Sequence, residues 1–203
     1  MTKIIAFSGR KQSGKSTGAE YVQHLLNNKG LKNKVYSFAD PLKQDICINM
    51  LGLTYDQCYG SDDDKNSLTD ILWENIPGYL GNITGPMTAR EVMEVIGTNI
   101  FRKIKNDVWV QATLVAIQRD NLDIAIIADC RFPNEVNSIL KNNGFVIRIT
   151  KDPFESKSDA EMALDPNNYD WSKFSTVINN QNINIADKNQ LIEQFLYQNG
   201  ILN

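Results

Sequence analysis

Gly9-Arg10-Lys11-Gln12-Ser13-Gly14-Lys15-Ser16-Thr17 is a complete G-x-x-x-x-G-K-[ST] loop, set directly behind the apolar run Lys3-Ile4-Ile5-Ala6-Phe7-Ser8. Residues of these types at this spacing bind phosphate. Gly9 and Gly14 let the backbone bend, so that the N–H groups of Lys11, Ser13 and their neighbours surround an anion at the positive end of the next helix. Lys15 adds a charge for β- and γ-phosphates, the Ser16 hydroxyl is a ligand for Mg²⁺, and Thr17 closes the loop. The alternative is a chance match at four fixed positions, against which the strand-then-helix setting speaks. The pattern predicts binding of a nucleoside triphosphate and leaves the fate of its γ-phosphate open.

A loop of this kind needs a second acid to orient Mg²⁺ or its waters, and Asp129 is placed for that at the end of the apolar run Asp123-Ile124-Ala125-Ile126-Ile127-Ala128-Asp129. Two residues on, Arg131 offers a planar fork to a phosphoryl group. The competing readings are that Asp129 and Arg131 neutralise each other, or that Arg131 pairs with Glu135. The same stretch argues against other phosphate-loop classes. A GTPase shows Asp-x-x-Gly here and a guanine-reading Asn-Lys-x-Asp later, and this chain has Asp129-Cys130-Arg131-Phe132. A motor-type ATPase carries a water-activating Glu where Cys130 stands. Transfer to a bound acceptor is therefore favoured over hydrolysis.

The elements that position these residues read as alternating strands and helices. A first helix runs from the loop to about Asn28, with Ala19, Val22, Leu25 and Leu26 inward. Val35–Phe38 reads as a strand, and a helix follows over roughly Leu42–Leu51. From Tyr55 to Met87 the pattern weakens, and its glycines and prolines suggest an irregular, mobile excursion at about 52–88. Asp62-Asp63-Asp64 reads there as a solvated loop or, less simply, as a metal site. Thr88-Ala89-Arg90-Glu91 is a capping box opening a helix with Val92, Val95, Ile96 and Ile100 on its apolar side. Gly97, inside that helix, serves either a ligand's close approach or tight packing. The next helix, from Asn106-Asp107 through Arg119, carries Trp109, Ala112, Val115 and Ala116 inward. The strand at 123–129 reads as central and buried on both faces. Pro133 opens a helix lined by Val136, Ile139 and Leu140. Strands at Phe145–Ile149 and Thr176–Ile178 precede a last helix, with Asp187 as cap and Leu191, Ile192, Phe195 and Leu196 inward. The alternation predicts an α/β fold: a three-layer α/β/α sandwich around a mainly parallel five-stranded sheet, with the loop at the strands' carboxyl ends. All 203 residues read as one domain.

Bulk properties narrow the partners. The formal net charge of -3 argues against a nucleic-acid polymer and suits a small nucleotide. No apolar stretch reaches membrane-spanning length and no export signal precedes the loop, so the expected location is the cytoplasm. Cys47, Cys58 and Cys130 have no metal-ligand spacing and read as reduced thiols. His24 reads as a partly exposed helix residue, and a single His makes a Ser-His-Asp triad improbable. A homodimer is left open.

Beyond the loop, the chain resembles the deoxynucleoside monophosphate kinases of large bacteriophages, within the wider P-loop nucleotide kinases. The likeness rests on Phe38-Ala39-Asp40-Pro41-Leu42-Lys43, Arg90-Glu91-Val92-Met93-Glu94-Val95-Ile96-Gly97-Thr98, Trp109-Val110, Asp129-Cys130-Arg131-Phe132-Pro133-Asn134-Glu135 and Val177-Ile178-Asn179-Asn180. It implies ATP and Mg²⁺ as cofactors and a deoxynucleoside monophosphate as acceptor. Arg90, Glu94, Gly97, Thr98 and Trp109 would line the acceptor pocket, with Arg90 on its phosphate and Trp109 against sugar or base. Asp129, Arg131 and Glu135 would complete the site at the transferring group, with Asp40 and Lys43 at its entrance. Without the likeness, Trp109 reads as a core aromatic. Ser158-Asp159-Ala160-Glu161 corresponds to a family segment that normally includes a His, and none is present here. Arg102, Lys103, Lys105 and Arg148 read as lid or adenine-side cations, or, for most of them, as a solvated basic face. The alternatives are a P-loop kinase for a nucleoside or other small metabolite, and a non-catalytic ATP-dependent regulator.

Overall fold

A computed structural model describes residues 2–153 and 159–202. In chain order the elements are β1 (Lys3–Ser8), α1 (Lys15–Asn28), β2 (Asn33–Tyr36), a wide-turned helix (Pro41–Ile48), α2 (Tyr55–Tyr59), α3 (Asp62–Lys65) and β3 (Leu68–Leu72). Then come β4 (Pro86–Thr88), α4 (Ala89–Glu94), a second wide-turned segment (Val95–Phe101), α5 (Arg102–Ile104), α6 (Val108–Asp120), β5 (Ile124–Cys130) and α7 (Pro133–Lys141). The chain ends with β6 (Phe145–Ile149), α8 (Asp159–Met162), β7 (Thr176–Ile178) and α9 (Ile185–Gln198). Two compact units result: residues 1–38 with 113–203, and residues 39–112.

The first unit holds a five-stranded sheet in the order β2-β5-β1-β6-β7, every adjacent pair parallel. Runs such as Ile124–Ile127 form strands here because both faces of a parallel sheet are covered. Alternate residues divide between the faces. Ile5, Phe7, Ile124, Ile126, Ile147 and Ile149 share one core with Val22 and Leu26 of α1 and Ile192 and Leu196 of α9. Ile4, Ala6, Ala125, Ile127 and Val146 are buried on the other face, as are Val136 and Ile139 of α7 and Ile117 of α6. The three-layer α/β/α fold expected from the sequence is the one observed.

Local readings need four corrections here. β2 starts and stops two residues early, because Asp129 takes the Phe38 N–H at 2.8 Å and draws 37–38 off the sheet. In α6 the buried side runs through Trp109, Val110, Thr113 and Ile117, and Val115 is exposed. In α9 Leu191 is exposed, and the cap is Asn184, whose side chain accepts from Asp187 N–H. Arg148 is buried in β6, with its guanidinium 5.2 Å from the Trp171 ring centre, so it is neither a lid cation nor part of a solvated face.

The second unit is built on Met87, Ala89, Val92, Val95, Cys47, Leu53 and Cys58. The stretch expected to be irregular is regular in short pieces. Thr54 with Gln57 and Ser61 with Asp64 form capping boxes for α2 and α3, and β3 pairs antiparallel with β4. Asp62-Asp63-Asp64 is thus the first turn of α3, where acids suit the helix's positive end. Among the described residues no group of three His, Cys, Asp or Glu could hold a metal ion. The predicted Thr88–Glu91 box opens α4 as expected. Both longer helices widen to π geometry, at Pro41–Ile48 and at Val95–Phe101. Gly97 lies in the second wide segment, and a Cβ there would meet Leu42 Cδ2 at 2.5 Å. Gly97 thus packs directly against the tip of Leu42.

Candidate active site

The phosphate loop leaves β1 and enters α1 with both glycines in demanding positions. A Cβ on Gly9 would meet the Ile149 carbonyl oxygen at 2.7 Å, and Gly14 has φ of 99°. α1 has no acid in its first turn, so its positive end is uncompensated by its own residues. Lys15 is buried, and its Nζ donates to the carbonyls of Gly9 at 2.8 Å and Arg10 at 2.6 Å. Burial, and then the Arg131 charge, lower its pKa to about 8, against an opposing pull from Glu161. Ser13 Oγ is buried with no hydrogen-bond partner among the described residues. Lys11, Ser16 and Thr17 are exposed along the loop.

Asp129 and Arg131 stand where β5 ends. The β1–β5 register slips between Ala6 and Ser8, a bulge of the kind that re-aims side chains beside sites. The two Asp129 carboxylate oxygens accept from Ser37 Oγ at 2.5 Å and from Phe38 N–H at 2.8 Å. Glu135, fully buried in the first turn of α7, accepts from the backbone N–H groups of Arg131 (2.7 Å) and Phe132 (3.1 Å). Glu135 therefore fixes the turn that presents Arg131. The Arg131 guanidinium pairs with Glu161.

Other groups hold the loop, and sequence reasoning missed them. Asp165 accepts a fork from Arg10, Nε at 3.2 Å and Nη2 at 2.5 Å, while Asp152 takes Arg10 Nη1 at 3.1 Å. Asn180 Nδ2 donates to the Ser13 carbonyl at 2.8 Å. Lys188 Nζ donates to the Gly14 carbonyl at 3.1 Å and Thr17 Oγ1 at 2.8 Å. Turning these carbonyls outward turns the opposite N–H of each peptide inward, toward a bound anion. Asn180 carried a signal in the Val177–Asn180 block. Lys188 and Asp165 carried none. Of the Ser158–Glu161 segment, Ser158 lies outside the described residues, whereas Glu161 is buried and accepts from Lys11 N–H at 2.5 Å.

The oxygen donors fit Mg²⁺ in kind. Ser16 supplies a hydroxyl and Asp129 a carboxylate, both hard ligands, while no protein cluster among the described residues could hold the ion alone. Hard oxygen donors are the kind this cation takes.

The remaining candidates lie in the second unit. Arg90, Glu94 and Thr98 are exposed along one helix. Arg90 Nη2 donates to Asp62 Oδ1 at 2.7 Å and its Nε to Asn66 Oδ1 at 2.9 Å. Trp109 is buried, and its Nε1 donates to the Gly97 carbonyl at 3.0 Å, bracing the wide turn. Tyr59 donates to Asp40 Oδ1 at 3.1 Å, and Lys43 Nζ lies 4.6 Å from the Tyr59 ring centre. Burial, and then Asp40, raise the Tyr59 pKa.

No helix among the described residues is long and apolar enough to cross a membrane. Among solved structures, the chain is similar to the APS kinase of Mycobacterium tuberculosis (13% identity, TM-score 0.44, 97% of each chain covered). It is also similar to the shikimate kinase of Acinetobacter baumannii (10% identity, TM-score 0.43, 100% of this chain and 97% of that one). A protein of Acanthamoeba polyphaga mimivirus, described as "Putative deoxynucleotide monophosphate kinase", is 28% identical over 151 residues, 73% of this chain and 74% of that one. The family model described as deoxynucleotide monophosphate kinase matches residues 49–188, well over half of the chain. With that match added to a phosphate loop seated at the carboxyl edge of a parallel sheet, the chain belongs to the deoxynucleotide monophosphate kinase family and is a nucleotide kinase.

Proposed function

We propose that the protein transfers the terminal phosphoryl group of ATP to a deoxynucleoside 5′-monophosphate, giving the diphosphate and ADP. The observation that carries this reading is Lys15, a buried ammonium held on the loop carbonyls beside Arg131. Such a charge in a dry site stabilises negative charge that water would otherwise screen. The loop amides and Lys15 grip the donor's β- and γ-phosphates, and its nucleoside lies in the groove lined by Gln12, Thr17, Lys151, Ile183 and Ile185. Ser16 and Asp129 would hold Mg²⁺, which would supply charge neutralisation at the transferring group. Arg131 offers its guanidinium to that group from the turn fixed by Glu135. Arg90 exchanges Asp62 for the acceptor's phosphate, a swap between two anions that its 46% side-chain exposure permits. The 52–88 segment, with its hairpin and capped turns, takes part in holding the acceptor. The acceptor is already anionic, so positioning and charge stabilisation suffice without a strong general base.

The test is ADP release with ATP and Mg²⁺ across a panel of deoxynucleoside monophosphates. Release that depends on at least one of them is expected. ADP formation indifferent to every added monophosphate overturns the proposal.

A further inference from the structure

Glu161 is a charged side chain only 7% exposed, and both its oxygens are engaged by donors of the kind that recognise phosphate. Oε2 accepts from the loop N–H of Lys11 at 2.5 Å, and Oε1 pairs with Arg131 Nη1. Its charge is also felt by Lys15 and Arg10. Burying a carboxylate is costly unless it is paired and hydrogen-bonded. Here the partners come from a loop 150 residues away and from the turn after β5. A backbone amide of a phosphate loop and an arginine fork are the groups that would hold a terminal phosphoryl group.

The segment carrying Glu161 is anchored independently of it. Leu164 is buried, Trp171 Nε1 donates to the Leu164 carbonyl at 2.8 Å, and Asp165 grips Arg10. Rotation of the Glu161 side chain alone would thus free both donors with Leu164 and Asp165 left in place.

We propose that the Glu161 carboxylate and the donor's terminal phosphoryl group exchange places on Lys11 N–H and Arg131. Without nucleotide the carboxylate holds both donors in position. ATP takes them over and turns Glu161 outward, and once the group has been transferred the carboxylate returns against ADP. Glu161 thereby weakens ATP somewhat and spares ADP, and it makes the loop read the number of phosphates. The inference rests on the reading of this loop as the ATP site.

Equilibrium binding of a non-hydrolysable ATP analogue and of ADP, without acceptor, tests it in the wild type, Glu161→Gln and Glu161→Ala. Gln keeps the volume and loses the charge, and Ala removes the side chain. The analogue should bind about tenfold more tightly to both variants, the competing state having been removed, with ADP affinity unchanged. Weaker or unchanged analogue binding, or equal tightening for ADP, overturns the exchange while leaving the donor reading intact. A wild type that binds neither nucleotide overturns the donor reading, and this inference with it.

Discussion

Donor binding should draw a proton onto Lys15. Burial sets its pKa at about 8, against 10.5 for an ordinary lysine. Near pH 8 about half of the molecules therefore carry a neutral amine. Phosphates placed against it favour the ammonium, so binding at that pH takes up about 0.5 proton, and affinity falls up to about tenfold per unit as pH rises further. The nucleotide's own phosphates, with second pKa values of about 6, are ionised there and contribute little. Calorimetric titration in two buffers of different ionisation enthalpy, at pH 8 and at pH 6.5, reads the uptake directly. Stability changes with the opposite sense to affinity. Between about 8 and 10.5 the unfolded chain holds the Lys15 proton that the folded one has lost, so stability rises with pH across that window. The gain is at most about 3 kcal/mol, and it should vanish in Lys15→Met. A dissociation constant flat from pH 7 to 9.5 with no proton uptake refutes the reasoning.

Glu135→Ala removes the acceptor for the N–H groups of Arg131 and Phe132 and should lower stability by about 3 kcal/mol, with Glu135→Gln intermediate. Chemical denaturation checks it, and equal stability of the three proteins would remove Glu135 as the anchor of that turn. Trp109→Phe keeps a ring beside Phe101 but leaves the Gly97 carbonyl without its donor, for a loss of about 1–2 kcal/mol in the same measurement. Arg90→Ala should leave stability within about 0.5 kcal/mol, since the pair with Asp62 is exposed. In steady-state assays it should lower kcat/KM for the monophosphate roughly 100- to 1,000-fold at unchanged ATP affinity, and normal turnover would take Arg90 out of the acceptor site.

The parts of this protein that could be read from sequence are those governed by local rules. Ile124–Ile127 announces a strand covered on both faces, and Gly9–Thr17 announces its ligand, because each pattern holds its reason within a few residues. The Thr54/Gln57 and Ser61/Asp64 boxes were equally legible signals for α2 and α3, masked by the glycines and prolines further along. The inward faces of α6 and α9 slipped at Val115 and Leu191, where 3.6-residue spacing does not say which of two flanking apolar residues meets the sheet. Glu161 is legible only through the family segment it closes, and Asp165 and Lys188 carry no local signal at all. Each meets the loop from more than 140 residues away, and nothing in local spacing records a contact of that separation. Gly97 and Trp109 stand out in the sequence as acceptor-pocket candidates, and what the structure displays is their bond to each other and the fit against Leu42.

The wide turn at Val95–Phe101 carries one residue more per turn than an α-helix needs. In an α-helix each residue advances the chain by about 100°, and the wide turn absorbs its extra residue within one revolution, so Phe101, Arg102 and Lys103 keep the bearing they would have without it. Deleting Thr98 would let the helix close to ordinary geometry with that end facing the same way, whereas a deletion within α4 would swing everything beyond it by about a quarter turn, altering residues that were never substituted. In this protein the length of a helix is as much a part of its specificity as the letters written along it.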